Sequence, residues 1–575
     1  MKILPLEHAA LIRQGIENAQ AAGELPAFDI PAVEVQPPSR LEHGDYASSI
    51  ALQLGKAARS APFQVAETIV RHLPEAPFVG EVSVAPPGFI NFRLDEGWLK
   101  QQVEAIIAEG EGVFTLERGR GQRAQVEFVS ANPTGPLHIG RTRGAVIGDT
   151  LARLLEALGY QVEREYYFNN AGRQMEMLGR TLQARYLQAL GLEAELPEEG
   201  YAGDYLKDIA ESLAQEVGDS WVGKDWKPFK EYAEQIIFRW IRESLLRLDV
   251  RHDVYFNENS LYEDGSIWRV LEALRERGYV YEAPVWEGAS EAERAEAAAG
   301  GLGEATWFRS SLLGDEKDRV LVKASGEPTY TLPDIAYHVN KMERGFDLLV
   351  NILGADHGTQ YQTVARGLQA LGYDTSRLHV VIHQMVRIYK DGRLVRGSTR
   401  AGDVIPLDEV MDQVGPDPVR YFLLARSPNT DVDFDLDLAI AQNNENPVYY
   451  IQNAHVRCAG IFRMAAERNF SDEGADLSLL GEPELAFLRQ VMQMGEVLLR
   501  CVDEMAPHQL AFYALDTARI FHPLYETVRV FHSEVPEDVA RARLRFYRAA
   551  KIVFHRLLRL MGMSAPDFMY WRVWR

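Results

Sequence analysis

A histidine and a glycine stand where a predicted strand gives way to a predicted helix. The stretch Val126–Arg141 starts with aromatic and β-branched residues, breaks at the turn cluster Asn132–Pro136, and continues with apolar residues at helical spacing up to Leu158. The first N–H groups of such a helix suit a phosphate. His138 can donate to phosphate oxygens, and Gly140 lets a nucleotide approach the backbone. The pattern predicts a nucleotide site, although any α/β fold contains similar strand–turn–helix units.

A second set of charged residues lies in the glycine-punctuated segment Tyr389–Gly402. Lys390, Arg393, Arg396 and Arg400 would neutralise a triphosphate as charge shifts in a transition state. Read by itself, the segment is equally compatible with a solvated basic hairpin. No Walker A sequence is present, which excludes a P-loop ATPase.

Strand and helix patterns alternate between about residues 119 and 440, which is typical of a doubly wound parallel sheet. A long helical segment at about 176–300 is predicted as an insertion between the two halves. The fold class predicted here is α/β with a Rossmann-type sheet. Its expected strands are Ala124–Ser130, Val162–Phe168, Asp347–Leu353 and His379–His383.

The flanking segments have different patterns. Residues 1–118 mix helix and strand patterns, which predicts an N-terminal α+β domain, and residues 441–575 are almost wholly helical in pattern, which predicts an all-α bundle. Phe89 and Asn91 fall on one side of a predicted strand, where they could stack on and hydrogen-bond to an unstacked base. An ordinary edge strand would show the same residues.

The last predicted helix, Val539–Met561, carries seven Lys or Arg residues with interleaved aromatics, and Trp571 follows it. Such a helix in an acidic protein is a candidate RNA surface, with Arg548 and Trp571 as the predicted contacts. The alternative is a solvated, charged helix face.

Bulk composition limits the class of protein. The chain has 575 residues, 46% hydrophobic and 25% charged, which is typical of a globular protein with several domains. Its net charge of −22 argues against a non-specific nucleic-acid coat protein but leaves room for local basic patches. No apolar run approaches the roughly 20 residues that span a membrane, and the N-terminus shows no signal-peptide pattern. Two cysteines exclude a disulfide framework and a cysteine-rich zinc site, so we expect a cytoplasmic location.

Taken together, the two charged segments resemble the HIGH and KMSKS motifs of class I aminoacyl-tRNA synthetases. The surrounding sequence resembles the bacterial arginyl-tRNA synthetase family nearly from end to end. Five separated motifs carry this resemblance, in the order found in the family: Glu127–His138, Glu165–Gln174, Pro328–His338, Gly354–His357 and Asn443–Tyr450.

The resemblance implies a binding pocket for L-arginine. A guanidinium is a permanent cation with five donors, so its site should offer carboxylates on separate segments. Tyr330 and Asp334 would share one face if their segment is helical, although Asp334 alone would suit a helix N-cap equally well. The implied arginine-binding residues are Glu127, Asn132, Tyr330, Asp334 and Gln360.

The resemblance also implies a site for ATP, with Mg²⁺ held mainly by the phosphates. No protein ligand for a metal ion is predicted. The resemblance also implies the arginine tRNA as a partner, beside L-arginine, and it favours a monomeric protein. The implied ATP-binding residues are His138, Gly140, Asp356, His357, Arg396 and Ser398.

The sequence departs from the family motifs at several positions. Arg141 stands at the second histidine of HIGH, Arg396 and Thr399 stand at the two lysines of KMSKS, and Gly397 replaces the methionine. We hypothesise that Arg141, Arg396 and Lys390 supply the missing positive charge, which would place them, with His138 and Ser398, among the catalytic residues. Arginine is a planar cation and is not equivalent to lysine at a phosphate.

The expected reaction is formation of arginyl-adenylate, followed by transfer to the 3′-terminal adenosine of the tRNA, by positioning and charge stabilisation. Two alternatives stay open from the sequence. One is another class I synthetase or a small nucleotidylyltransferase with a HIGH element. The other is a tRNA-binding paralogue that has lost catalysis, which the altered motifs would fit.

Overall fold

The computed structural model describes residues 3–38, 40–201, 203–300, 303–355, 358–395 and 405–569. The chain forms two compact units. One is built from residues 1–116, 442–504 and 509–575, and the other from residues 117–441 and 505–508. The division points after residues 116 and 441 lie beside the boundaries predicted at 118 and 440, while the division into three domains itself stays a prediction.

The N-terminal segment is a three-stranded antiparallel sheet with four helices. Its strand order is β1-β3-β2, so β3 is the central strand and the edge-strand alternative for Phe89 and Asn91 is wrong. Phe89 is 37% exposed, whereas Asn91 is buried. The elements are α1 (Leu4–Ala21), β1 (Tyr46–Ser48), α2 (Ile50–Ala58), α3 (Pro62–Arg71), β2 (Val79–Ala85), β3 (Phe89–Leu94) and α4 (Glu96–Glu109).

The second unit is organised around a five-stranded parallel sheet with the order β11-β10-β4-β5-β6. All four predicted strands are present, which confirms the doubly wound α/β class. The fifth strand, β6, comes from the segment predicted as a helical insertion, so that segment also contributes to the sheet. The first elements are β4 (Arg123–Glu127), α5 (Ile139–Ala157), β5 (Gln161–Phe168), α6 (Gly172–Ala189), α7 (Tyr205–Val217), α8 (Trp226–Arg247) and β6 (Val254–Asn257).

A small antiparallel sheet, in the order β7-β8-β9, follows β6 within the same unit. The chain then returns to the parallel sheet through β10 and β11. These elements are α9 (Asn259–Glu263), α10 (Ser266–Glu276), β7 (Val280–Ala283), α11 (Glu291–Ala299), β8 (Ala305–Phe308), β9 (Arg319–Val322), α12 (Thr331–Glu343), β10 (Leu348–Gly354), α13 (Gly358–Ala370) and β11 (Leu378–His383).

A third small sheet completes the unit, with β12 between β13 and β14. An Asp391–Gly392 turn with positive φ at both residues joins β12 to β13, so the described part of the predicted basic segment is a hairpin. The elements are β12 (Val386–Lys390), β13 (Arg393–Leu394), α14 (Leu407–Val414), α15 (Pro416–Leu424), β14 (Val432–Asp435) and α16 (Leu436–Ile440).

Strand β4 is shorter than predicted. It ends at Glu127 instead of Ser130, because Val129 and Ser130 have φ values of 72° and 43° that no strand accommodates. Helix α5 then packs directly on β4: a Cβ at Gly148 would lie 2.4 Å from the Phe128 side chain. Gly159 follows the C-cap residue Leu158 with a φ of 90°, which ends the helix.

The C-terminal segment is helical, as predicted. Its long last helix, α21, buries a stripe of apolar residues that includes Phe546, Val553 and Leu557. Within the described ranges, no helix is long and apolar enough to cross a membrane. The helices are α17 (Pro447–Glu467), α18 (Glu482–Met492), α19 (Met494–Asp503), α20 (His508–Thr527) and α21 (Glu537–Leu560).

Candidate active site

The backbone that follows β4 is strained and held by side-chain hydrogen bonds. Val129 and Ser130 adopt the left-handed region, which costs a β-branched residue such as Val129 about 1–3 kcal/mol. The Ser130 hydroxyl donates to Glu127 Oε1 at 2.8 Å and accepts from the Tyr167 N–H at 3.2 Å. The turn therefore fixes the Glu127 carboxylate at the carboxyl end of the sheet, where open α/β sheets bind ligands.

Asn132 ties the same turn to the end of β5. Its side-chain oxygen accepts from the Asn169 N–H at 2.9 Å, and its amide donates to Gln174 at 3.0 Å. Both partners belong to the predicted motif Glu165–Gln174. The structure thus ties Asn132 to the end of β5, the strand that pairs with β4, and its place in an arginine pocket stays a prediction.

Helix α12 supplies the second carboxylate. Asp334 lies in its first turn, half-buried, and its Oδ2 accepts from Gln360 Nε2 at 2.5 Å. Asp334 is inside the helix, so the N-cap alternative is wrong, and Tyr330 occupies the cap position. Tyr330 is 78% exposed. The structure therefore joins Asp334 to Gln360 and leaves the Tyr330 ring at the surface.

The two carboxylates have opposite electrostatic environments. Burial disfavours the charge of Glu127, but the adjacent Lys341 ammonium, together with His338 and the Ser130 hydrogen bond, outweighs that effect and lowers the pKa of Glu127. Burial raises the pKa of Asp334 to about 8, helped by the negative charges of Glu258 and Glu127. Near neutral pH, Glu127 is ionised and Asp334 carries a proton that a bound cation would displace.

Glu258 is a third carboxylate in this region, which the sequence analysis did not identify. It directly follows β6, is buried, and accepts from Tyr167 Oη at 2.5 Å and from Asn169 Nδ2 at 2.9 Å. Burial raises its pKa, and its charge acts on Asp334. A guanidinium placed beside Asp334 would therefore have two acidic neighbours from separate elements.

A buried polar network behind the pocket was also missed. Lys341 donates to Glu127 Oε2 at 2.5 Å and to Asn351 Oδ1 at 2.8 Å. His338 lies between Asn351 and the Asp334 carbonyl oxygen, at 2.6 and 2.8 Å respectively. The network links Asp334 and Glu127 through side chains of α12 and β10.

The sequence contained signals for these residues. Asp334, His338 and Lys341 recur at helical spacing, which puts polar groups on a face that also carries buried apolar residues. Asn351 is a single amide within an apolar strand. Glu258 had no local signal, because nothing near it in sequence shows that its strand joins the sheet beside β5.

The predicted nucleotide element has the expected geometry. His138 is the N-cap residue of α5, is half-buried, and is followed within the first turn by Gly140 and the exposed Arg141. Burial and the charge of Arg141 lower the pKa of His138 to about 4, so the imidazole is neutral and can donate one hydrogen bond. A Cβ at Gly140 would lie 3.2 Å from the imidazole, so glycine keeps this surface open.

Hydrogen bonds join this turn to the chain that follows the basic segment. The Ile139 N–H donates to the Ile405 carbonyl at 3.2 Å, and the Leu407 N–H donates to the Leu137 carbonyl at 2.8 Å. Lys390 is exposed at the end of β12. The predicted residues Asp356, His357, Arg396 and Ser398 lie outside the described residues.

The predicted tRNA-binding residues lie in the other unit. The Arg548 guanidinium donates through Nε and Nη2 to the two oxygens of Asp472, each at 2.8 Å. Other arginines of α21 also have partners within the unit: Arg545 donates to Glu104, and Arg556 donates to the Val113 carbonyl. The contacts predicted for Phe89, Asn91 and Arg548 stay predictions, and Trp571 lies outside the described residues.

Three family models match successive parts of the chain. The model described as the arginyl tRNA synthetase N terminal domain matches residues 7–94, the class I (R) tRNA synthetase catalytic domain matches 102–417, and the DALR anticodon binding domain matches 451–569. The arginine–tRNA ligase of Anoxybacillus flavithermus is 41% identical to this chain, over 97% of this chain and 97% of that protein. The arginine–tRNA ligase of Carboxydothermus hydrogenoformans is 42% identical, over 96% of this chain and 97% of that protein. An arginyl-tRNA synthetase structure from Thermus thermophilus has the same fold, with a TM-score of 0.75, 21% identity, and coverage of 98% of this chain and 100% of that one.

The parallel sheet, the HIG turn and the matched catalytic domain define the class as a class I aminoacyl-tRNA synthetase. This excludes a small nucleotidylyltransferase. Within that class, the chain belongs to the arginyl-tRNA synthetase family. It is an enzyme whose reaction is that of an arginine–tRNA ligase.

Proposed function

We propose that Glu127, Asp334 and Glu258 bind the cationic groups of L-arginine, and that Asn132 and Gln360 orient them. The supporting observation is the cluster of three carboxylates from β4, α12 and the end of β6, in which Asp334 feels the charges of the other two. A guanidinium beside Asp334 and Glu258 would remove that repulsion. Tyr330, which is exposed and four residues before Asp334, would cover the bound side chain after a rotation of its ring.

In the proposed first step, an oxygen of the arginine carboxylate attacks the α-phosphorus of ATP. The bond from that phosphorus to the bridging oxygen breaks, and pyrophosphate leaves. The chain's contribution is to position the reactants and to stabilise charge, with no protein nucleophile. His138 and the N-terminal end of α5 at Gly140 contact the nucleotide phosphates, and Mg²⁺ arrives with ATP, held mainly by the phosphates.

Arg141, Lys390 and Arg396, together with Ser398, would stabilise the departing pyrophosphate in place of the usual motif lysines. Arg141 lies in the first turn of α5, close enough for its charge to depress the pKa of His138. Lys390 is exposed on the hairpin that precedes the basic segment. Asp356 and His357 follow β10 in the sequence and complete the proposed ATP site.

In the second step, the 2′-hydroxyl of the tRNA's terminal adenosine attacks the arginyl carbonyl carbon, and AMP leaves. The proposed tRNA contacts are Phe89, Asn91, Arg548 and Trp571. Of these, Phe89 has the exposure that stacking on a base requires. The proposal includes a monomer acting in the cytoplasm.

Aminoacylation of total tRNA with labelled arginine tests the reaction. Pyrophosphate exchange with each of the twenty amino acids, run with tRNA present, tests its specificity, and we expect exchange with arginine alone. Asp334→Asn should raise the KM for arginine, while the matched surface change Asp374→Asn should leave it unaltered. The proposal fails if no arginine is incorporated, or if Asp334→Asn keeps the wild-type KM.

A further inference from the structure

Lys341 is a fully buried lysine that the proposed reaction does not use. Its side chain has no exposed surface, and the only oxygens within hydrogen-bonding distance in the described residues are Glu127 Oε2 and Asn351 Oδ1. An ammonium group is costly to bury, so a lysine at this depth needs a compensating charge. Glu127 provides that charge, and Glu127 is also a wall of the proposed arginine pocket.

The surrounding hydrogen bonds fix the orientation of each group. Because Asn351 Oδ1 accepts from the Lys341 ammonium, its Nδ2 must donate to His338 Nε2. His338 therefore carries its proton on Nδ1 and donates it to the Asp334 carbonyl oxygen. Each hydrogen bond in this network therefore has one possible donor and one possible acceptor, so Glu127 is held in a single orientation relative to α12.

The charges of the pocket match those of the substrate only if Lys341 is counted. Glu127, Asp334 and Glu258 give three negative charges when ionised, and Lys341 brings the sum to minus two. Arginine brings two cationic groups, the α-ammonium and the guanidinium, while its carboxylate must stay free to react with ATP. Without Lys341, the pocket would have one carboxylate too many for this substrate.

We propose that Lys341 is a positioning and specificity-determining residue: its buried ammonium holds Glu127 ionised and correctly aimed, so that the pocket accepts an amino acid with two cationic groups. This inference rests on the proposed arginine pocket. Lys341 acts through Glu127 and does not touch the substrate. Its removal should therefore affect arginine binding far more than the chemical step.

Removal of the ammonium should also make Glu127 harder to ionise, because burial would then be opposed only by His338 and by the Ser130 hydrogen bond. The pH dependence then depends on all charged or titratable groups around Glu127. Glu127 lies at the end of β4, and the groups around it come from three other elements or their ends. They are Asp334, Tyr337, His338 and Lys341 on α12, Tyr167 on β5, and Glu258 after β6.

The test is the steady-state kinetics of Lys341→Met with the full-length chain, ATP and tRNA, between pH 6.5 and 9. We expect the KM for arginine to rise at least tenfold at pH 7, with kcat within threefold of wild type. The ratio of variant to wild-type KM should fall towards one at pH 9, as Glu127 regains its charge. A packing defect alone would leave that ratio independent of pH.

A double variant covers the case in which Lys341→Met does not fold. Glu127→Gln/Lys341→Met removes both charges and should fold, because the uncompensated buried ion is gone. If Lys341 acts through Glu127, the double variant will match Glu127→Gln in arginine KM within threefold. A further tenfold increase in KM would show an independent role and overturn the proposal.

Asp334→Asn separates this inference from the proposed function. If Asp334→Asn leaves the arginine KM unchanged, the pocket itself is misplaced. If Asp334→Asn impairs arginine binding while Lys341→Met has wild-type KM at every pH, the pocket stands and the role of Lys341 is refuted.

Discussion

Asp334 and Glu127 are both carboxylates of the proposed arginine pocket, yet their surroundings give them different protonation states. Glu127 has an ammonium in direct contact, whereas Asp334 has an uncharged amide as its hydrogen-bond partner and two acidic neighbours. An empty pocket therefore avoids the repulsion of three negative charges by keeping a proton on Asp334. A bound guanidinium would replace that proton.

Arginine binding should therefore release a proton and strengthen with pH. The ionised form of Asp334 binds the guanidinium, and with a pKa of about 8 that form becomes rarer by tenfold for each pH unit below 8. We expect the arginine affinity to rise between pH 6 and 8 and to level off above. Calorimetry in buffers of different ionisation enthalpy would measure the released proton. Asp334→Asn should bind weakly and without this pH dependence, and a flat wild-type profile would contradict the assignment.

The cations that replace the motif lysines can be tested singly. Arg396→Ala and Lys390→Ala should each slow arginine-dependent pyrophosphate exchange at least tenfold, which corresponds to about 1.4 kcal/mol of transition-state stabilisation. Arg387→Ala is a suitable control, because its guanidinium pairs with Asp431 and Asp433 on the same small sheet. Losses below tenfold for both Arg396 and Lys390 would refute the charge-replacement hypothesis.

Helix α5 connects the nucleotide turn to other parts of the second unit. Two residues beyond Arg141, Arg143 is fully buried and donates to three carbonyl oxygens, those of Gln384, Ser427 and Thr430. Burial lowers the pKa of its guanidinium to about 10, so it stays charged at neutral pH. Through these bonds, α5 holds the end of β11 and the loop before β14, which pairs with the hairpin strand β12.

Arg143→Met should destabilise the protein by about 3 kcal/mol or more, because the three hydrogen bonds of a buried guanidinium to carbonyl oxygens are lost. The KM for ATP should rise as well, since β12, which pairs with β14, is no longer fixed relative to α5. Thermal unfolding and pyrophosphate exchange would measure the two effects. Arg143→Lys, which keeps the charge and one or two of the donors, should lose less in both; equal stability of Arg143→Met and wild type would contradict this account.

At the scale of the whole molecule, the basic helix α21 holds parts of one of the two units together through ion pairs. Its arginines pair with Asp472 and with Glu104 of the N-terminal segment. Burial raises the pKa of Asp472, but the hydrogen bonds and charge of Arg548 outweigh this and hold the pKa below 3.8. Arg545 and Arg548, two of the charges that suggested an RNA surface, thus have acidic partners inside the unit.

Arg548→Ala should lower the free energy of unfolding by about 0.5–1 kcal/mol, a small effect because the Arg548 side chain is 41% exposed. The unfolding temperature should fall accordingly. The stabilisation from Asp472 is present above pH 3.8 and should be lost as the pH falls through the lowered pKa, so the wild-type advantage should vanish in acid. Arg519→Ala, which removes an exposed pair with Asp516, is the control. The slope of the logarithm of the tRNA-binding constant against the logarithm of the salt concentration is a second measurement. A slope smaller in magnitude by about one in Arg548→Ala would show that Arg548 also contacts a phosphate.

Much of the fold could be predicted because its signals are local. A strand, a turn and a helix with His138 at the junction are encoded by consecutive residues, and α5 begins at Ile139, after the predicted turn cluster. The end of β4 was missed because Val129 has strand propensity but adopts a positive φ, which hydrogen bonds of Ser130 stabilise. Strand propensity describes the backbone conformation that a residue type prefers. It does not describe the backbone strain that the surrounding structure imposes on that residue.

The sequence alone determined the class of fold and the family, and it predicted the residue types of the proposed nucleotide turn and of most of the proposed arginine pocket. Only the tertiary structure decided which charges meet: Lys341 with Glu127, 214 residues apart, and Glu258 with Asp334 through a fifth strand. The physical reason is range. Helical and strand periodicity act over a few residues, whereas the contacts of a buried charge follow from the order and register of the strands, which no short stretch of sequence encodes.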